Sequence, residues 1–270
     1  MSLSTDAMEV LEETSRTFFI PISRLPSGLI DAVASGYLCM RAIDEIEDHP
    51  GLQNQEKSEL LRSISLVLQS TVMGYSFDEF PTIFAPYQGL VPEVTYRINE
   101  WTQLAPRSIA PRIFDAIATM ADRMAYWADN QWQIRTRSDL DRYTFGVAGA
   151  VGLMLSDLWA WYDDTKTNRE YAIGFGRGLQ AVNILRNRAD DLSRGVDFFP
   201  DGWGDEQLQT YARWNLSLAD AYTRELYAGP ALDFCNIPLV LAHATLDALA
   251  RGEEKLSRSA VMELTSQRVG

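Results

Sequence analysis

Acidic side chains repeat at helical spacing in the stretch YLCMRAIDEIED, residues 37–48. Asp44 and Asp48 are four residues apart, and Glu45 follows the first of them. Residues at i and i+4 share one face of a helix, so both aspartates are predicted to project in the same direction. Like charges at this spacing call for a cation, and Mg²⁺ accepts one or two carboxylates while leaving positions for phosphate oxygens. Taken alone, the stretch is more typical of an exposed acidic turn at a helix end.

A second polar stripe runs along GLQAVNILRNRADDLSRG, residues 178–195. Its members, three or four positions apart, are Gln180, Asn183, Asn187 and the pair Asp190 and Asp191. Amides and acids aligned over three helical turns are costly to bury unless they bind something. The stripe is bracketed by Arg186, Arg188 and Arg194. Together the two stretches indicate a pyrophosphate site in which Mg²⁺ ions supply positive charge.

The overall charge limits the kind of partner. The chain carries 24 basic and 37 acidic residues, a formal net charge of −13, so a nucleic-acid partner is not expected. A polyanionic substrate therefore needs a few placed arginines or bound cations. No GxxxxGK[ST] loop is present to cradle phosphates, and the two histidines lack companions at zinc-ligand spacing.

The apolar residues recur mostly at helical spacing and nowhere alternate convincingly, which predicts an all-α fold. We expect a single domain over residues 1–270, because no linker or low-complexity run interrupts the chain. Prolines and caps predict the long helices at 29–47, 54–70, 112–134, 138–161, 169–192, 206–228 and 237–252. Ser138 is the expected cap of the fourth of these.

Four ordered motifs resemble the squalene/phytoene synthase family, the head-to-head prenyl diphosphate synthases. SRTFF at 15–19 is similar to its N-terminal signature, and YLCMRAIDEIED to its first aspartate-rich motif. DLDRYTFGVAGAVGLM at 139–154 resembles its central helix, and LQAVNILRNRADD its second acidic motif. SRGVDFFPDGW at 193–203 is similar to the loop that follows this motif, although it also fits an ordinary helix-ending loop.

The resemblance implies an isoprenoid-synthase-type helical bundle around a central apolar cavity, with the acidic motifs facing each other at its mouth. It assigns the metal-binding positions to Asp44, Asp48, Asn187, Asp190 and Asp191. It assigns substrate binding to Ser15, Arg16, Thr17, Phe18, Tyr37, Gln180 and Asn183, with Asn183 also matching the metal side. It assigns catalytic roles to Arg41, Tyr143 and Arg186.

The activity implied by the resemblance is the condensation of two farnesyl or two geranylgeranyl diphosphates through a cyclopropylcarbinyl diphosphate, with two or three Mg²⁺ ions. NADPH serves a reductive second step in some members; this sequence has no GxGxxG fingerprint, but members that use NADPH do not rely on that motif. An aromatic-lined pocket would tolerate an allylic cation and exclude water.

One position departs from the family pattern. The second motif usually reads Asn-Ile-Leu-Arg-Asp-x-x-Glu-Asp, whereas this chain has Asn187 and Asp190 in place of Asp and Glu, and Arg188 adds a positive charge. On the favoured hypothesis Asn187 ligates through its carbonyl oxygen, or Asp190 takes over, and the reaction is unchanged. On the alternative, one diphosphate site is altered and a single cation passes to water or to an aromatic acceptor.

The remaining features predict the cellular setting. The N-terminal stretch has no basic segment and no apolar run, so a signal peptide is not expected. No window reaches about 18 uncharged apolar residues, so no membrane span is expected. Cys39 and Cys235 lie in apolar helical patterns and are predicted to be buried reduced thiols. We expect a cytoplasmic protein, and peripheral membrane contact during product release is compatible with this.

Overall fold

The computed structural model of the protein describes residues 3–15, 17–72, 77–253 and 256–266. These residues form helices joined by turns and irregular segments, and none of them belongs to a strand, which confirms the all-α prediction. The chain divides into two compact units, Met1–Trp132 and Gln133–Gly270. The single-domain assignment and the central apolar cavity stay predictions.

The first unit is arranged around α3, which carries the first acidic stretch. Its helices are α1 (Thr5–Ser15), α2 (Phe19–Ser23), α3 (Leu29–Glu47), α4 (Asn54–Val72), α5 (Phe80–Phe84), α6 (Glu93–Tyr96), α7 (Ile98–Gln103) and α8 (Ala110–Asp129), with a 3₁₀ turn at Ala85–Tyr87. Leu38, Ala42 and Ile46 lie on its buried face, and α3 packs on α6, α7 and α8. The predicted bounds of this helix, 29–47, are confirmed.

Arg97 joins three helices of this unit. Its guanidinium donates to Glu93 Oε1 at 2.8 Å and to Glu100 Oε2 at 2.7 Å, and it pairs with Asp6 of α1. It also lies over the Trp101 ring, 4.6 Å from the centroid. The hydrogen bond from Arg97 lowers the pKa of Asp6 below its ordinary 3.8. Arg97 therefore ties α1, which ends at Ser15, to α6 and α7.

Replacing Arg97 by Met is expected to lower the free energy of unfolding by about 1 kcal/mol at pH 7, because a network of contacts is lost. A carboxylate whose folded pKa is lowered stabilises the fold above its unfolded pKa, and that contribution disappears as pH falls through the folded value. The difference from wild type should therefore shrink as the pH falls below about 4 in urea titrations. Arg112→Met, which loses an exposed pair with Asp115, is the matched control and should be nearly neutral. An equal loss of unfolding free energy in both variants would contradict the role of Arg97 in joining α1, α6 and α7.

The second unit is arranged around α11, which carries the second polar stripe. Its helices are α9 (Arg137–Thr144), α10 (Ala150–Asp163), α11 (Arg169–Ser193), α12 (Asp205–Glu225), α13 (Pro230–Ala250) and α14 (Arg258–Ser266), with a π-helical turn at Phe145–Gly149 between α9 and α10. α11 packs on α12, on the π turn, on α10 and on α13. A Cβ at Gly176 would lie 2.2 Å from the Ala148 carbonyl oxygen, so this approach requires glycine.

Several helix boundaries differ from the sequence predictions, and the helix predicted at 206–228 already ends at Glu225. The helix predicted at 112–134 ends at Asp129, and Gln131 and Trp132 then adopt positive φ angles of 53° and 47°. The helix predicted at 138–161 is capped by Thr136, not Ser138, and is split by the π turn. The helix predicted at 237–252 begins at Pro230 and continues through Pro238. Pro238 is buried, and a proline can lie within a helix when buried packing outweighs the lost hydrogen bond.

Two helical segments are long and apolar enough, by length and composition alone, to cross a membrane. They are Arg137–Asp163 and Pro230–Ala250, with 44% and 50% of their most apolar windows buried inside the protein. The sequence criterion had found no such span, since it required an uncharged window. Partial burial is also common in the core helices of soluble proteins, so these segments are weak indicators of membrane insertion.

Candidate active site

One face of α3 brings together four of the predicted site residues. Tyr37, Arg41, Asp44 and Asp48 follow each other at spacings of four, three and four, which places them on one side of the helix. Arg41 Nη1 donates to Asp44 Oδ2 at 3.0 Å, and its Nη2 donates to Glu45 Oε1. Arg41 therefore compensates charge on both of these acids, and Asp48 is exposed.

The electrostatics of this face fit a divalent cation. Desolvation, followed by the nearby charge of Asp48, raises the pKa of Asp44 to about 6, although Arg41 acts in the opposite direction. A cation between the two aspartates would relieve both effects. No group of three or more His, Cys, Asp or Glu residues in the described parts of the chain is arranged to hold a metal. A site with two carboxylates remains, and this is a set that Mg²⁺ uses when a phosphate completes its coordination.

The N-terminal signature lies next to this face. The Phe18 N–H donates to the Ser15 carbonyl at 2.9 Å, and the Phe18 and Tyr37 ring centroids are 6.1 Å apart. Thr17 is exposed in the turn between Ser15 and Phe18. Arg16 lies outside the described residues. The structure therefore brings the signature and the first acidic stretch together within the first unit.

Two buried donors beside this face lack protein partners. Ser15 Oγ and Arg41 Nε are buried and form no hydrogen bond with the described residues. A buried donor without a partner carries a desolvation cost unless a ligand or solvent satisfies it. Both donors therefore suit the oxygens of an anionic substrate.

A contact that the sequence does not reveal braces the last turn of α3. Trp132 Nε1 donates to Glu47 Oε1 at 2.7 Å, Lys57 Nζ donates to the Glu47 carbonyl at 2.5 Å, and the same ammonium lies 5.2 Å from the Trp132 ring centroid. All three side chains are buried. Burial and the charge of Asp44 raise the pKa of Glu47 to about 8. The left-handed Gln131–Trp132 turn, unfavourable for these residue types, is what presents the indole.

The second polar stripe lies on one face of α11, as predicted. Gln180, Asn183 and Asn187 are half-buried, and Asp190 is exposed. Arg186 Nη2 donates to Asn183 Oδ1 at 3.1 Å, and its Nε donates to Asn187 Oδ1 at 3.2 Å. Both amide oxygens that could ligate a metal therefore accept hydrogen bonds from one guanidinium.

Asp191 is the buried carboxylate of this stripe. Arg194 Nη2 donates to its Oδ1 at 2.5 Å, and the Arg194 and Val196 N–H groups both donate to its carbonyl at 3.0 Å. On this face Arg194 pairs with Asp191, and Arg186 donates to Asn183 and Asn187. The assignment of Asn187, Asp190 and Asp191 as metal ligands stays a prediction.

Arg188 does not add its charge to the polar stripe, contrary to the sequence interpretation. Its Nη2 donates to Asp197 Oδ2 and its Nη1 to Asp205 Oδ1, both at 3.2 Å. Its guanidinium carbon lies 3.6 Å from the centroid of the Phe199 ring. Two carboxylates therefore compensate this arginine.

Tyr143 is buried near the end of α9. Its ring stacks on Phe198 with centroids 4.6 Å apart and an interplanar angle of 21°. The last turn of α9 is also held by Tyr211, whose hydroxyl donates to Asp141 Oδ1 at 2.8 Å and lies 3.0 Å from Thr144 Oγ1. The sequence predicted Tyr143 but gave no signal for its partner Phe198, which lies 55 residues further along the chain.

Comparison with known proteins gives one consistent result. A family model described as squalene/phytoene synthase matches residues 11–211. A squalene synthase of Schizosaccharomyces pombe is 29% identical over 279 aligned positions, covering 91% of this chain and 59% of that protein. The solved complex of TcSQS with a ligand has a TM-score of 0.75 at 22% identity and covers 97% of this chain and 85% of that chain. A dehydrosqualene synthase complex has a TM-score of 0.64 at 19% identity, covering 97% and 94%.

These comparisons bear on the fold and on the family. The structural likenesses confirm the predicted isoprenoid-synthase-type helical fold. The chain spans 59 to 63% of the length of three curated squalene synthases that it matches.

Proposed function

Because the chain belongs to the squalene/phytoene synthase family, we propose that it is a Mg²⁺-dependent prenyltransferase that ionises an allylic prenyl diphosphate. The substrate is farnesyl or geranylgeranyl diphosphate. Two molecules are joined head to head to a squalene-, dehydrosqualene- or phytoene-type product, with release of diphosphate. The squalene synthases among the relatives support this choice of reaction over other diphosphate chemistry.

The observation that carries the proposal is the α3 face. Asp44 and Asp48 lie on it at i and i+4, and desolvation followed by the charge of Asp48 raises the pKa of Asp44 to about 6. These two carboxylates would hold Mg²⁺ together with diphosphate oxygens. The ion, when bound, neutralises charge that develops on the leaving diphosphate. The second stretch is proposed to supply weaker metal ligands, namely Asn187, Asp190 and Asp191.

The chain's own donors act on the diphosphate. Ser15 Oγ and Arg41 Nε are unpartnered donors next to the α3 face, and both would bind diphosphate oxygens. Arg186, which already spans two amides of the stripe, is a proposed diphosphate-binding donor of α11. Thr17, Phe18, Tyr37 and Gln180 are proposed to line the prenyl site. Tyr143 is the proposed proton donor or acceptor at the reacting carbons.

The direct test is product analysis. The purified protein is incubated with C10, C15 and C20 allylic diphosphates and Mg²⁺, and extracts are analysed by gas chromatography and mass spectrometry before and after phosphatase treatment. We expect a C30 or C40 hydrocarbon, or its cyclopropyl diphosphate precursor. Recovery of prenol alone or of unchanged substrate would refute the condensation.

One observation favours a second candidate. Asn183 and Asn187 offer neutral amide oxygens, and Arg186 occupies both. Because these amides are neutral and already bound to Arg186, the stripe would bind Mg²⁺ weakly and one of two diphosphates would not be activated. The enzyme would then transfer a single prenyl group to an aromatic acceptor, or hydrolyse the diphosphate. Product analysis with and without phenolic acceptors separates the two candidates.

Asn187→Asp is expected to lower the Mg²⁺ concentration for half-maximal rate by about tenfold, because a full negative charge replaces a neutral amide oxygen in the second polar stripe. Mn²⁺ binding in the presence of pyrophosphate, followed by electron paramagnetic resonance, measures the same change without turnover. Asn130→Asp, at the end of α8, makes the same change of side chain away from the stripe and is the control. Identical Mn²⁺ binding by Asn187→Asp and wild type would show that this position does not ligate.

A further inference from the structure

Arg188 connects α11 to the loop between α11 and α12, residues 194–204. Besides the two carboxylates, its side chain contacts the Phe199 ring face, so one guanidinium holds the loop at Asp197 and Phe199 and the first residue of α12 at Asp205. The planar fork of arginine matches two separate acceptors, which a lysine ammonium does less well. Arg188 is two-thirds buried, which reduces solvent screening of these pairs.

The loop has a defined internal conformation. The Phe199 N–H donates to Asp197 Oδ1 at 3.0 Å, and the Asp201 N–H donates to the Arg135 carbonyl at 3.0 Å. Asp197 therefore accepts from both Arg188 and the loop backbone, so the position of Arg188 is linked directly to the backbone at Phe199.

The residue between these anchors is Phe198. Its ring is only 8% exposed and stacks on Tyr143, which is 4% exposed. Offset aromatic stacking at this distance contributes beyond simple burial, and it shields one face of the tyrosine from water. The loop thus uses Phe199 to contact Arg188 and the preceding residue to cover Tyr143.

We propose that Arg188 is a positioning residue that holds Phe198 on Tyr143 and so directs the allylic cation toward a second prenyl group and away from water. This inference rests on the proposed function. On ionisation, the C1–O bond breaks and its electron pair leaves with diphosphate. The cation is then captured by the double bond of a second prenyl diphosphate, with later loss of a proton. Alternatively, it is captured by a water oxygen, which loses a proton to leave a prenol.

The key variant is Arg188→Met, which keeps the length and apolar stem but loses both ion pairs. Chymotrypsin cleavage after Phe198 and Trp203 reports loop opening without turnover. We expect cleavage of this segment and the ratio of prenol to condensed product each to rise about tenfold. Arg213→Met, which loses an exposed pair with Asp247 on neighbouring helices, is the matched control and should change neither.

Two further variants separate positioning from general damage. Arg188→Lys keeps the charge and should recover part of the protection from chymotrypsin and part of the product ratio. Phe198→Leu leaves the Arg188 contacts intact, so it should raise the prenol ratio without opening the loop at Asp197. Its cleavage after Trp203 should match wild type.

The outcomes decide between the alternatives. Faster cleavage of Arg188→Met with an unchanged product ratio would overturn the proposal, because the contact would then be structural only. Unchanged cleavage would overturn it as well, since Arg188 would not hold the loop. If wild type forms no product from prenyl diphosphates, the proposed function fails and the positioning role with it. The cleavage assay would still show whether Arg188 anchors the loop.

Discussion

Asp44→Asn is expected to lower kcat about 10³-fold, because loss of one carboxylate removes several kcal/mol of charge stabilisation by a bound metal. Asp48→Asn should have a comparable effect, since the two aspartates share one face of α3. Steady-state kinetics with farnesyl diphosphate and varied Mg²⁺ measure this loss. Asp247→Asn, at an exposed pair on α13, is the control and should keep wild-type kinetics. Near-normal turnover in both α3 variants would refute the metal site.

The same substitution should not destabilise the fold. The pKa of Asp44 is raised to about 6, so the folded protein binds more protons than the unfolded chain between about pH 4 and pH 6. The stability associated with this carboxyl is therefore full below pH 4 and is lost as pH rises through 6. Asn carries no charge at any pH. In urea titrations with EDTA, Asp44→Asn should match or exceed wild-type stability at pH 8, and lower stability there would contradict the assigned electrostatics.

Tyr143→Phe is expected to lower kcat about 10²- to 10³-fold, the usual effect of removing a group that transfers a proton at the reacting atoms. The Phe ring can keep its stack on Phe198, so the free energy of unfolding should change little. Tyr211→Phe is the matched contrast, because its hydroxyl contacts Asp141 and Thr144 within the fold. That variant should lose about 1 kcal/mol of stability and much less of kcat.

Comparison of these two variants distinguishes a catalytic role of a tyrosine hydroxyl from a structural one. If Tyr143→Phe were as active as wild type, its hydroxyl would have no part in proton transfer, and the role of the residue would reduce to its stacked ring. A loss of kcat in Tyr211→Phe as large as in Tyr143→Phe would instead indicate that the variants act by disturbing the turn after α9. Circular dichroism melts in parallel with kinetics separate the two cases.

Local periodicity accounts for what the sequence predicted correctly. α3 was placed at its observed bounds because proline and glycine flank it on both sides, and α11 was placed within a residue because its apolar pattern is helical. The same period placed Asp44 with Asp48, and Asn183 with Asn187, on single faces. Side chains three or four residues apart on a helix become neighbours whatever the rest of the chain does.

Boundaries were less well predicted where packing overrides local preference. The helix after Thr136 is split by a π turn, and α13 continues through Pro238, because buried packing can offset an unfavourable local geometry. The turn at Gln131 and Trp132 is a further case. Nothing in the local sequence favours two positive φ angles for these residues, and the hydrogen bond from Trp132 to Glu47 explains their retention.

By itself, the sequence determined the helical class, the two polar faces and the family, since each depends on residue types at short, fixed spacings. Only the tertiary structure decided which charges remain available to a substrate. Arg188 lies beside Asn187 in the chain yet pairs with Asp197 and Asp205, whereas Arg186 spans the amides of the stripe. The physical reason is that a long charged side chain finds its partners across helices and loops, at distances that the order of residues does not specify.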